Sequence, residues 1–198
     1  MSNLITISDF SPYRNLSANI GSEKIDPYVT EAQEFDLKPI LGRALYFDFI
    51  SGMEASPQEE IYVELFEGKD YTDPDTNFTI HFSGIKPMLV YYSYARIIPN
   101  LNKHATNFGF VEKENPYSNP VQDKGLFLSV SQARNAAEAY KVELIKFLDD
   151  NYSDYELWLK NYVIDKGKHG SIVITSVKKQ YKKEYCGSCH SRYCNCNN

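Results

Sequence analysis

Four cysteines lie at the C-terminal end of the chain, Cys186 and Cys189 separated by two residues and Cys194 and Cys196 by one, with His190 directly after the first pair. Thiolates are soft tetrahedral ligands, so Cys186, Cys189, Cys194 and Cys196 form a candidate zinc set in which His190 could replace one sulfur. The four residues between the pairs make a tighter loop than zinc ribbons and fingers use. The competing reading is a tail of reduced thiols, or one that forms an intermolecular disulfide after release from the cell. Cys186-Gly-Ser-Cys189-His190 also has the form of a c-type haem attachment motif. Haem attachment requires export, whereas Met1 to Asp9 has no basic region and carries an early acid, unlike a secretory leader. The expected setting is therefore the reducing compartment of synthesis, where disulfides are not assumed.

The remaining candidates are weaker. Lys178, Lys179, Lys182 and Lys183 could meet phosphates, but beside tyrosines they also make an ordinary solvated stretch. Asp73, Asp75 and Asn77 have the alternate spacing of a calcium loop without its glycine or distal bidentate glutamate. His81, His104, His169 and His190 are scattered, and the acidic pairs Glu59-Glu60 and Asp149-Asp150 fall on expected helix ends or faces, where solvation explains them. No glycine-rich phosphate loop, dinucleotide fingerprint, His-Glu-x-x-His or Gly-x-Ser-x-Gly occurs. The expectation is a chain that is not an enzyme and has no cofactor, zinc on the cysteines being the one candidate metal.

Composition sets the frame that must carry these groups. With 198 residues, 42% hydrophobic and 24% charged, the chain fits one globular domain with appendages. The longest apolar run, Met88 to Ile98, contains Arg96 and falls far short of the roughly 20 residues a membrane span needs, so no membrane partner is expected. Charge is unevenly distributed: residues 178–198 hold five basic residues against one acid, while the first 177 hold 16 against 25. An acidic body over 1–177 and a basic, cysteine-bearing extension over 178–198 are the expected units. Sixteen tyrosines suit either a tyrosine-rich core or surfaces that dry on association.

Capping and periodicity predict a mainly α fold, a bundle of about five or six helices with a small β-hairpin or short strands and an extended C-terminal tail. Asp26-Pro27 starts a helix over 27–37, and Pro39 is expected to break it from a second over 39–50. Ser56-Pro57-Gln58-Glu59 opens a third over 57–67, stopped by Gly68. Asp73-Pro74-Asp75 marks a turn before the alternating Phe78, Ile80 and Phe82. Lys86-Pro87 opens a helix ending near Ile98. A long loop follows over 100–125, with room for a hairpin around Gly109. Val130, Ala133, Ala137, Tyr140, Leu144, Phe147 and Leu148 define a helix over 129–151. Ser153 caps a short one through Trp158 and Tyr162, and the β-branched Ile172 to Val177 reads as a strand leading into the tail. Phe108, Phe110 and Tyr117 sit on a segment too polar to form its own core, which makes them candidate subunit-interface anchors.

Leu16-Ser-Ala-Asn19, Lys24-Ile-Asp-Pro-Tyr28, Glu31-Ala-Gln33 and Leu37-Lys-Pro-Ile-Leu-Gly42 with Leu45-Tyr46 occur in the opening third. Thr106-Asn-Phe-Gly-Phe-Val-Glu-Lys113 and Ser118-Asn-Pro-Val121 follow, ahead of the long helix. In this order they resemble the small head-to-tail connector (adaptor) proteins of tailed bacteriophages infecting Bacteroides-type hosts, including crAss-like phages. The resemblance covers roughly residues 4–165 and leaves the cysteine tail outside. It implies a mainly helical structural protein of the virion that forms a ring, typically of twelve copies, at the head-tail junction. The portal protein and tail proteins would be its partners, and DNA would pass through the lumen without sequence-specific binding. An acidic body suits that passage, since like charge disfavours phosphate contact. The alternative is a zinc-dependent nucleic-acid-binding protein acting through the C-terminal tail.

Overall fold

In a computed structural model the chain is described over residues 2–17, 20–101, 103–106, 109–112 and 123–158. Helix α1 spans Asp26–Ala32 with Pro27 in its first turn, where a missing N–H leaves no bond unmade. A π turn, Gln33–Leu37, carries it into α2, Lys38–Leu41, so the break expected at Pro39 does not occur. The Lys38 N–H reaches back to the Gln33 carbonyl, five residues away. That wider turn lies just ahead of Pro39 and accommodates the pyrrolidine ring that a regular α turn would crowd. The chain bends instead at Gly42, at φ 74° and ψ 157°, a region open to glycine. Helix α3, Arg43–Glu54, follows.

Helix α4 spans Glu60–Glu67, three residues later than its start signal predicts. Glu59 is extended and its carbonyl accepts from Tyr62 and Val63, while its own N–H donates to the Gly52 carbonyl at 3.1 Å. The ring of Tyr62 occupies the space a side chain at residue 52 would need, so α3 and α4 close directly on one another. This tertiary contact, rather than Ser56-Pro57, decides where α4 begins.

Gly68 stops α4 at φ 99° and leads into a hairpin of β1, Lys69–Thr72, and β2, Thr79–Phe82. The strands are antiparallel, with Lys69 opposite Phe82 and Thr72 opposite Thr79. The predicted turn at Asp73 joins them. At the hairpin's base Gly68 and Gly84 both have positive φ, and each lies against the backbone across from it, Gly68 on Phe82 and Gly84 on Phe66. Helix α5, Ile85–Ile97, begins there and matches the predicted segment.

The expected long loop holds a second hairpin, β3, Lys103–Thr106, with β4, Gly109–Glu112. Helix α6, Asp123–Asp150, starts six residues before its predicted position. Residues 156–158 are helical after a turn over 151–154, and the rest of that predicted helix, the strand over 172–177 and the extension over 178–198 lie outside the described residues.

Helix α5 is the central element. Ile85, Met88, Leu89, Val90 and Ile97 are fully buried, with Val29, Leu37 and Phe49 on the earlier helices and Ala137, Leu144, Phe147 and Leu148 on α6. Tyr92 pairs with Glu138, whereas Ser83, just ahead of α5, pairs with Glu143. That inverse order makes α5 and α6 antiparallel. The fold is mainly helical with small antiparallel hairpins. Among the described residues no helix is long and apolar enough to cross a membrane.

Candidate functional site

Two places gather side chains beyond ordinary packing: a charged cluster where the first hairpin meets α6, and an apolar arm at the other end of that helix. The cluster is fixed by the hairpin turn. Asp73 donates its backbone N–H to the Phe78 carbonyl, its Oδ1 accepts the Asp75 N–H, and its Oδ2 accepts the Thr76 hydroxyl at 2.6 Å. Asn77 closes the turn at φ 58°, a left-handed conformation asparagine tolerates. On α6, Asp150 Oδ2 accepts the Tyr71 hydroxyl at 3.0 Å.

The oxygens of Asp73, Asp75 and Asp150 lie within 4.8 Å of one another, a spacing a cation could use. The Lys146 ammonium already stands among them, at 3.4 Å from Asp73, 3.0 Å from Asp75 and 2.6 Å from Asp150. The calcium-like spacing seen in the sequence therefore builds a clasp closed by lysine. The hydroxyl of Thr76 and the Asp75 amide hold Asp73 below the usual carboxylate range, and the three acids, Asp150 foremost, raise Lys146 above the usual lysine value. Burial, with Asp150 behind it, pushes the Tyr71 phenol up to about 12.

Other charged pairs tie helices together. Arg96 on α5 reaches Asp36 at 2.8 Å and Glu31 at 3.4 Å, with its guanidinium over the exposed ring of Phe35. Tyr92 donates to Glu138 at 2.7 Å, and Tyr62 donates to Asp48. Arg14 lies over Tyr91 and Tyr94. Tyr62 and Tyr92 thus serve as core rings whose hydroxyls reach a carboxylate at the margin.

The arm is the first three turns of α6. At 1.5 Å per residue this 28-residue helix is about 42 Å long, roughly twice the length of α5. The paired region runs from Ala133 to Leu148, and from 124 to 132 no side chain is buried. Phe127 is 75% and Leu128 58% exposed, with Leu126 and Val130 half-covered beside them. Among the described residues none covers these apolar groups, which makes this stretch the candidate association surface.

Of the predicted interface residues, Phe110 lies in β4 opposite Ala105, while Phe108 and Tyr117 lie outside the described residues. Cys186, Cys189, Cys194 and Cys196 also lie outside them. The sequence reading missed Phe127 and Leu128 because it began the helix at 129. Leu126-Phe127-Leu128 was the available signal, an apolar triplet on one turn that is wider than a core stripe requires.

A family model described as a family of unknown function, DUF6712, matches residues 37–167. No curated protein and no solved structure matches the chain.

Proposed function

We propose, for a chain that belongs to the DUF6712 family of unknown function, that it is a structural head-to-tail connector of a tailed bacteriophage virion. In this reading it forms a ring between portal and tail, performs no catalysis and lets DNA pass through the lumen. The observation that carries the association is the uncovered arm of α6, whose Phe127 and Leu128 remain exposed in the single chain. A ring contact would bury them. The order of connector-like segments along the sequence supplies the kind of assembly, and the acidic body supplies a surface that repels passing phosphates.

Electron microscopy of virions tests this directly. A ring of identical subunits at the portal vertex is expected, and location elsewhere in the particle, or absence from it, would overturn the proposal. Phe127→Glu with Leu128→Glu should lower assembly onto the portal at least tenfold while leaving far-ultraviolet circular dichroism unchanged. Salt-sensitive binding to free DNA that disappears on deleting 178–198 would favour the nucleic-acid-binding alternative.

A further inference from the structure

Half-buried cations in this molecule meet a carboxylate. Lys38, Lys69, Lys86, Arg96 and Lys141 are each half-buried, and each lies 2.5–2.9 Å from a carboxylate oxygen. Lys24, Arg43, Lys124 and Arg134 form no ion pair among the described residues but are exposed, where water solvates them. Arg14 differs from both groups. It is half-buried, no carboxylate among the described residues reaches its guanidinium, and its Nε is buried without a hydrogen-bond partner. Taking a charge partly out of water costs free energy, and an arriving anion offsets that cost.

The surroundings hold this cation in place. Phe10 is fully buried, and its carbonyl accepts from the Tyr13 N–H at 2.9 Å and the Arg14 N–H at 2.7 Å. The guanidinium lies over Tyr91 at 5.3 Å and over Tyr94, one turn along α5, at 5.7 Å. Tyr91 in turn stacks on Tyr140 of α6 at 5.8 Å and meets Tyr13 edge-on at 6.1 Å. All four rings are half-buried. Aromatic faces steady an arginine without neutralising it, so its fork of donors is set before any partner arrives. Arginine among tyrosines is also the composition of interface hot spots, in which surrounding groups exclude water from a central contact.

Charge selects the occupant. The chain carries 26 acidic against 21 basic residues, and Asp9 and Glu67, already held by Lys86, act on the neighbouring Tyr13. A polyanion such as nucleic acid is repelled by these surroundings, whereas a single carboxylate meets the one local cation. The same acidic excess supplies the donor: Glu23, Glu59, Glu60 and Glu156 are exposed and form no ion pair among the described residues. We infer that Arg14 in its tyrosine cradle receives a carboxylate from a second copy of this chain, the two terminal guanidinium nitrogens donating to the two carboxylate oxygens. The contact goes beyond the connector reading, since it requires two copies and neither portal nor tail.

Sedimentation of the full-length chain over a range of concentrations tests it. Self-association is expected, and Arg14→Gln should weaken it about tenfold or more while leaving far-ultraviolet circular dichroism unchanged. A monomer at every concentration, or equal association of wild type and Arg14→Gln, would overturn the inference. A second measurement identifies the partner and uses Arg14→Lys, which keeps the charge and the stem over Tyr91. An equal mixture of light and isotopically heavy Arg14→Lys chains is treated with a carbodiimide, which joins an amine to a carboxylate with loss of water. A peptide linking position 14 of one isotope to an acidic residue of the other supports the inference. Linkage of position 14 within one chain only, or no linkage there, would overturn it. The cross-link is expected to persist in chains that also carry Phe127→Glu and Leu128→Glu, so failure at the portal and failure at Arg14 are told apart.

Discussion

Phe147 shows how much one ring can carry. It is fully buried, stacked on Phe82, met edge-on by Tyr71 and flanked by Tyr155 at 5.9 Å, so it joins the hairpin, α6 and the chain's exit. Phe147→Ala should cost about 3–5 kcal/mol by removing that surface and leaving a cavity, read as a fall in the urea midpoint. The ionisable residues around it set a pH window. Asp73 is held below its ordinary value, so its contribution is present above about pH 4 and is lost as pH falls through the folded value. Lys146 and Tyr71 are both raised, so theirs is present below about pH 10 and is lost as pH rises. Thermal melts should show a plateau between these limits. Lys146→Met should flatten part of the alkaline fall, and an unchanged alkaline limb would show that the clasp contributes nothing to it.

At the scale of elements, the boundaries are set by close approaches. Gly68 and Gly84 allow two chain segments to cross at the hairpin's base, and each also has a φ that side chains avoid. Gly68→Ala or Gly84→Ala should each destabilise by more than about 1 kcal/mol, since both strain and collision act. Pro39→Ala should be nearly neutral by the same measurement, because the π turn before it already accommodates the ring. Large destabilisation by Pro39→Ala would show that proline is required to hold the π turn.

At the scale of the molecule, the arm of α6 and the segment before it carry the assembly prediction. Phe108→Ala with Phe110→Ala should weaken the ring formation proposed for this chain while leaving monomer helicity intact, and loss of the monomer fold would show that these rings belong to a core. The cysteine tail yields a separate measurement. Purified protein is expected to hold no stoichiometric zinc, and metal that vanishes when Cys186, Cys189, Cys194 and Cys196 become serine would establish a folded zinc knob.

The helical class, the α5 boundaries, the Gly68 stop and the core stripe of α6 were legible in the sequence, because capping and apolar periodicity act over a few residues. The Asp73 turn was legible for the same reason. Pro39 misled that reading because a local rule for regular α turns does not include the π turn that removes its clash. The start of α4 misled it because Gly52 and Tyr62 meet across two helices. The candidate surface was half legible: its apolar triplet lies open in the sequence, but burial depends on which partner helix is long enough to cover it. Only the tertiary structure decided that α5 ends short of Phe127, and that Lys146 fills the space among three aspartates from two distant segments. Contacts between residues 70 positions apart are set by how helices pack, and no local pattern encodes them.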